Sequence, residues 1–127
     1  MVTGGREPEA LAEPELRVLL CNTPPDRAAA IARALVERRL AACVNVLPGV
    51  LSVYRWQGAV EEAAESTLLV KTRASLAAAV TDAIVALHPY ELPEVVSLPL
   101  AAGEGLAAYR AWLAAETSPP DGEGSAR

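Results

Sequence analysis

The chain has 127 residues, 52% of them hydrophobic, which is one domain's worth of sequence with enough apolar content to bury a core without disulfides or a structural metal. Its formal charge of −5 sits mostly in the ends, with −3 over Met1 to Glu15 and −1 over Thr117 to Arg127, so Leu16 to Glu116 carries only −1 and no basic stripe. That distribution argues against nucleic acid as a partner. The longest apolar runs fall short of the ~18 residues of a membrane span. Met1 to Glu15 is acidic and lacks the basic start and apolar middle of a signal peptide, so the chain reads as soluble and cytoplasmic, with no membrane partner.

Met1 to Glu15 and Thr117 to Arg127, rich in Pro, Gly and acids, have the composition of disordered tails, and the domain is expected over 16–116. Leu16 to Thr23 is a short apolar run that reads as a buried strand, ended by Pro24-Pro25. Either Thr23 or Asp26 is suited to cap the helix that follows. Ala28, Ile31, Ala32 and Leu35 recur at helical spacing, giving an amphipathic helix to about Arg39. From Ala42 the period becomes two, pauses at Pro48-Gly49, and resumes to Trp56. Pro-Gly within a strand marks a bulge or bend. Gln57-Gly58 turns the chain, and Val60 to Thr72 returns. The two arms make a hairpin of roughly 40 Å, longer than a domain of this size covers.

Leu76, Val80, Ala83, Ile84 and Leu87 predict a second amphipathic helix over Arg73 to His88. It delivers the chain to His88-Pro89-Tyr90-Glu91-Leu92-Pro93-Glu94, a stiff polar loop between two prolines that holds the only histidine. Val95 to Leu100 is a last short strand, and Leu106, Tyr109, Trp112 and Leu113 lie on a terminal helix. The order is βαββαβ plus a helix. This is an α+β, ferredoxin-like sandwich with a long hairpin between its second and third strands.

Ala41-Ala42-Cys43-Val44-Asn45, Tyr54-Arg55-Trp56-Gln57-Gly58, Leu69-Val70-Lys71-Thr72, the His88 to Glu94 loop and Tyr109-x-x-Trp112-Leu113 resemble, in order and spacing, the CutA divalent-cation tolerance proteins. The likeness spans nearly all of Leu16 to Leu113. It implies a homotrimer whose long hairpins join neighbouring subunits, similar to PII-type signalling proteins, together with a part in copper tolerance and no established reaction. The family's Trp-Lys-Gly stands here as Trp56-Gln57-Gly58, without the cation at the hairpin tip.

Cys21, Cys43 and His88 carry the thiol and imidazole donors that copper favours, and Glu91 adds a carboxylate. Both cysteines lie in apolar strands, where structural burial accounts for each better than metal ligation does. His88 is the foremost ligand candidate because a loop can expose it. Copper(II) is expected to bind weakly there. A second group, Lys71, Tyr54, Trp56, Tyr90 and Glu94, is expected to line a cleft, with Lys71 meeting Glu91, Glu94 or an acidic ligand, since a buried unpaired lysine is costly. Glu61, Glu62 and Glu65 read as solvated strand-edge charges. Tyr54 and Trp56 fall where the hairpin leaves its own core and point to a subunit interface. With one histidine, no Ser-His-Asp order and no glycine-rich phosphate loop, the chain does not read as an enzyme. Two functions follow: a trimeric metal-responsive or metal-binding protein, or a PII-like trimeric sensor or scaffold that binds a small anion or a protein partner between subunits.

Overall fold

The computed structural model describes residues 13–117. The strands and helices are β1 (Leu16–Thr23), α1 (Ala28–Glu37), β2 (Cys43–Trp56), β3 (Ala59–Arg73), α2 (Ala77–Leu87), β4 (Val96–Pro99) and α3 (Ala107–Glu116), with a 3-10 turn at Ala74–Leu76. The four strands form one antiparallel sheet in the order β2-β3-β1-β4. This is the expected ferredoxin-like α+β arrangement. Most of the two expected tails lies outside the described residues. Glu13 and Thr117, assigned to those tails, are held by the fold: Arg110 donates to both carboxylate oxygens of Glu13, and Thr117 is fully buried with its hydroxyl donating to Leu113 O.

Strand side chains alternate between faces, so the register sorts them. Leu19, Cys21 and Thr23 pair with Val70, Leu68 and Ser66, and all six are buried. Ile31 and Leu35 of α1 and Val80 and Ile84 of α2 close over this face to make the main core. On the other face α3 covers one end only, packing Leu113 against Leu16 and Ala42. Val96 and Leu98, opposite Leu20 and Val18 on that face, remain 48% exposed each.

Helix ends differ from expectation for local reasons. The N-cap position of α1 is Arg27 and makes no side-chain cap, while the Thr23 hydroxyl turns instead onto Pro24 O at 3.0 Å. α1 stops at Glu37 because Arg39 adopts φ 61°, which lets Leu40 N and Ala41 N both bond to Leu35 O. α2 begins later than Arg73 because Arg73 still pairs with Leu16 in the sheet. Among the described residues no helix is long and apolar enough to cross a membrane.

The hairpin runs 14 residues out and 15 back, roughly 45 Å at ~3.3 Å per residue. Its register shifts by one residue between Leu47 and Val50, where Gly49 takes φ 73°, so Pro48-Gly49 is the expected bulge. Gln57 (φ 50°) and Gly58 (φ 85°) form its two-residue turn. β1 pairs with β3 only as far as Thr23 opposite Ser66. Beyond that point no further strand among the described residues pairs with the two arms, and Leu51, Val53 and Val60 are 64, 58 and 64% exposed.

Candidate functional site

Where β1 stops and the hairpin continues, the proline loop folds back onto the sheet. The extended backbone that Pro89 imposes on its predecessor ends α2 at His88 (φ −84°, ψ 140°) and aims the ring inward. The ring is buried. Its Nδ1 accepts from Tyr90 N–H at 3.1 Å, so the proton sits on Nε2 and is donated to Asn22 O at 2.8 Å. The Tyr90 ring lies 4.6 Å from it, tilted by 54°.

The Tyr90 hydroxyl in turn donates to Glu65 Oε2 at 2.8 Å. Burial, the Glu65 carboxylate and nearby Tyr54 hold the Tyr90 phenol protonated, pushed up to about 12. Asn22 ties the other end of the loop: its Nδ2 donates to Glu94 Oε1 at 2.8 Å while its Oδ1 accepts from the Thr67 hydroxyl at 2.6 Å. Two residues of the sheet, Asn22 and Glu65, thus fix the loop through side chains, with Thr67 steadying Asn22 and the Asn22 carbonyl holding His88.

Between this loop and the far half of β2 lies a cleft of about 790 Å³. Its lining includes Tyr54, Arg55 and Trp56 from the hairpin, Tyr90, Glu91 and Leu92 from the loop, and Asn22, Glu65 and Glu94. Of the expected cleft residues, Tyr54, Trp56, Tyr90 and Glu94 come together, and Glu91, expected as a metal donor, joins them.

Lys71 does not. It pairs with Val18 and Cys43 six positions along β3 from Glu65, about 20 Å away at ~3.3 Å per residue, and places its Nζ 5.7 Å from the centre of the Tyr109 ring. An aromatic face on α3 therefore takes the place of the expected Glu91 or Glu94 carboxylate. Glu65 departs from expectation in the opposite sense: it is 6% exposed, not solvated, because Tyr90 covers it.

The copper donors are dispersed. Cys21 is fully buried on the helix face, and burial, with the Glu94 and Glu65 charges behind it, pushes its thiol up to about 12. Cys43 stands opposite Lys71 on the other face, half-buried, with its Sγ 3.9 Å from Asn45 Oδ1. Among the described residues no three His, Cys, Asp or Glu side chains converge as a metal site would require. Asn22 and Thr67 were not singled out from the sequence. Their one signal there is polarity inside otherwise apolar strands, Asn22 after Leu19-Leu20-Cys21 and Thr67 before Leu68-Leu69-Val70.

Residues 17–116 match the family described as CutA1 divalent ion tolerance protein. The Divalent-cation tolerance protein CutA of Thermus thermophilus is 50% identical over 101 residues, 79% of this chain and 96% of that protein. The human Protein CutA is 51% identical over 73 residues, 58% of this chain and 41% of that protein, so the chain spans less than half of it. Among solved structures, the PII-like protein CutA from Nostoc sp. PCC 7120 in apo form superposes with a TM-score of 0.76 at 39% identity, covering 80% of this chain and 97% of that one. The overall fold is therefore shared with these proteins, and the chain belongs to the CutA1 divalent ion tolerance family.

Proposed function

We propose that this CutA1-family chain works in divalent-cation tolerance as a cytoplasmic homotrimer that holds copper(II) weakly and catalyses no reaction. The observation that carries the assembly is the hairpin end, where Leu51, Val53, Val60, Tyr54 and Trp56 are all exposed and paired to nothing but the opposite arm. A lone two-stranded ribbon is marginal in water, and its free edges invite another strand. Neighbouring subunits would cover both, and a cyclic threefold arrangement closes such edges where an open one would grow into fibres. Two free cysteines fit a reducing compartment.

Weak copper binding follows from the chemistry of His88. Both of its ring nitrogens are occupied, so a metal must displace either Tyr90 N–H or Asn22 O before it is coordinated. Glu91 is the nearest carboxylate in sequence to supply a second donor. If His88→Ala keeps full copper affinity in calorimetry while Cys43→Ser abolishes it, the ligand is wrongly chosen.

The likeness to the PII-like protein CutA of Nostoc favours a second reading, in which the cleft takes a small anion or a protein partner. The cleft's own charge speaks against the anion, since among the described residues Glu65, Glu91 and Glu94 line it with one basic residue, Arg55. Light scattering at micromolar concentration tests the assembly. The wild-type chain is expected to be trimeric and Trp56→Asp to dissociate, because the substitution buries an unpaired charge at the interface. A monomeric wild-type chain would sink the proposal.

A further inference from the structure

Glu65 is a nearly fully buried carboxylate whose one side-chain hydrogen bond among the described residues comes from a neutral phenol. Among the described residues it has no ion pair, and neither Glu91 nor Glu94 has one. Burying a carboxylate without a cation is expensive, so such a group facing a cavity calls for positive charge from outside the chain. Arg55 lines the same cleft yet pairs with none of the three.

Three aromatic side chains, Tyr54, Trp56 and Tyr90, line the cleft with these carboxylates. Tyr90 spends its one hydroxyl proton on Glu65, which leaves the face of its ring as its remaining attraction for a ligand. Aromatic faces bind cations that shed water easily, ammonium and guanidinium groups above all. A bare metal ion fits this setting poorly: about 790 Å³ is the size of a site for an organic molecule, and among the described residues no three His, Cys, Asp or Glu side chains converge.

We infer that the cleft between the far half of β2 and the proline loop is a binding site for a small organic cation of the ammonium or guanidinium class. Glu65 and Glu91 supply the charge, and the rings of Tyr54, Trp56 and Tyr90 supply the cage. The site goes beyond the metal reading and shares with it only the proposed trimer, in which a neighbour would bound the open side. Asn22 and Glu94 hold the loop against the strand, so the cage is set before the ligand arrives.

The test is calorimetric titration of the full chain, in its native assembly and at low ionic strength, with tetramethylammonium chloride, with spermidine, and with tert-butanol as a neutral molecule of similar shape. Both cations are expected to bind, with tert-butanol at least ~10-fold weaker. Glu65→Gln, which keeps an acceptor for Tyr90, is expected to weaken both cations at least ~10-fold. Glu91→Gln lies on an exposed loop and is expected to cost about 3-fold, which gives a readout even where Glu65→Gln does not fold. Equal affinity for tert-butanol, no binding of either cation up to about 10 mM, or full affinity in both variants would overturn the inference. Light scattering on the same samples keeps the two readings apart. A trimer that binds neither cation refutes this site alone, and a monomer that binds them refutes the assembly alone.

Discussion

Replacing His88 with alanine separates a structural histidine from one kept for a ligand. The substitution removes the donor to Asn22 O and the acceptor for Tyr90 N–H, both in a buried setting, and vacates the space of the ring. Each orphaned backbone group costs ~1–3 kcal/mol, so a loss of about 3 kcal/mol is expected even with partial rehydration. With a urea slope of about 2 kcal/mol/M, the unfolding midpoint falls by about 1.5 M, measured at fixed subunit concentration because assembly adds to apparent stability. The Tyr90 amide, now unpaired, exchanges faster, while amides of α1 keep their order of protection. A loss under about 0.5 kcal/mol together with unchanged Tyr90 exchange would refute the assignment of both ring nitrogens to the fold.

Gly49→Ala is expected to destabilise the chain by about 1 kcal/mol in urea titration, entirely through the φ of 73°, since an added Cβ there meets nothing within 4 Å. No loss would mean that the bulge relaxes freely. Alkaline stability follows from Cys21 and Tyr90, both held up at about 12 against ordinary values of 9.0 and 10.0. The folded chain keeps protons that the unfolded chain releases, so the contribution of these two groups is level below about pH 9 and falls as pH rises from there toward 12. Tyr90 contributes less because it is more than a third exposed. Cys21→Ala should make the fall shallower in pH-dependent melts, and stability that rises over this window would contradict the sign.

The architecture was legible because each element carries its own period: two along Ala42 to Trp56, and a helical repeat through Ile31 and Leu35 or Val80 and Ile84. The Pro48-Gly49 bulge and the Gln57-Gly58 turn were legible for the same local reason, as backbone demands written in residue type. The cleft was only half legible. Tyr54, Trp56, Tyr90, Glu91 and Glu94 carry recognisable chemistry, but the choice between Glu65 and Lys71 depends on register. Lys71 falls under α3 and Glu65 under the proline loop, six residues apart on one strand, and neither packing element is adjacent to them in sequence. Asn22 was hidden for a related reason. Its side chain and carbonyl serve Glu94, Thr67 and His88 from elsewhere in the chain, and no local pattern announces such a hub.

The proposal that neighbouring subunits cover the hairpin is tested most directly by hydrogen exchange of the β2 amides from Leu51 to Arg55 that β3 leaves unpaired. In an assembled trimer these edge amides pair with, or are shielded by, a neighbour, and protection of about 100-fold or more over the free-amide rate is expected. Exchange of those amides at the free rate, in samples where α1 and β1 are fully protected, would contradict it.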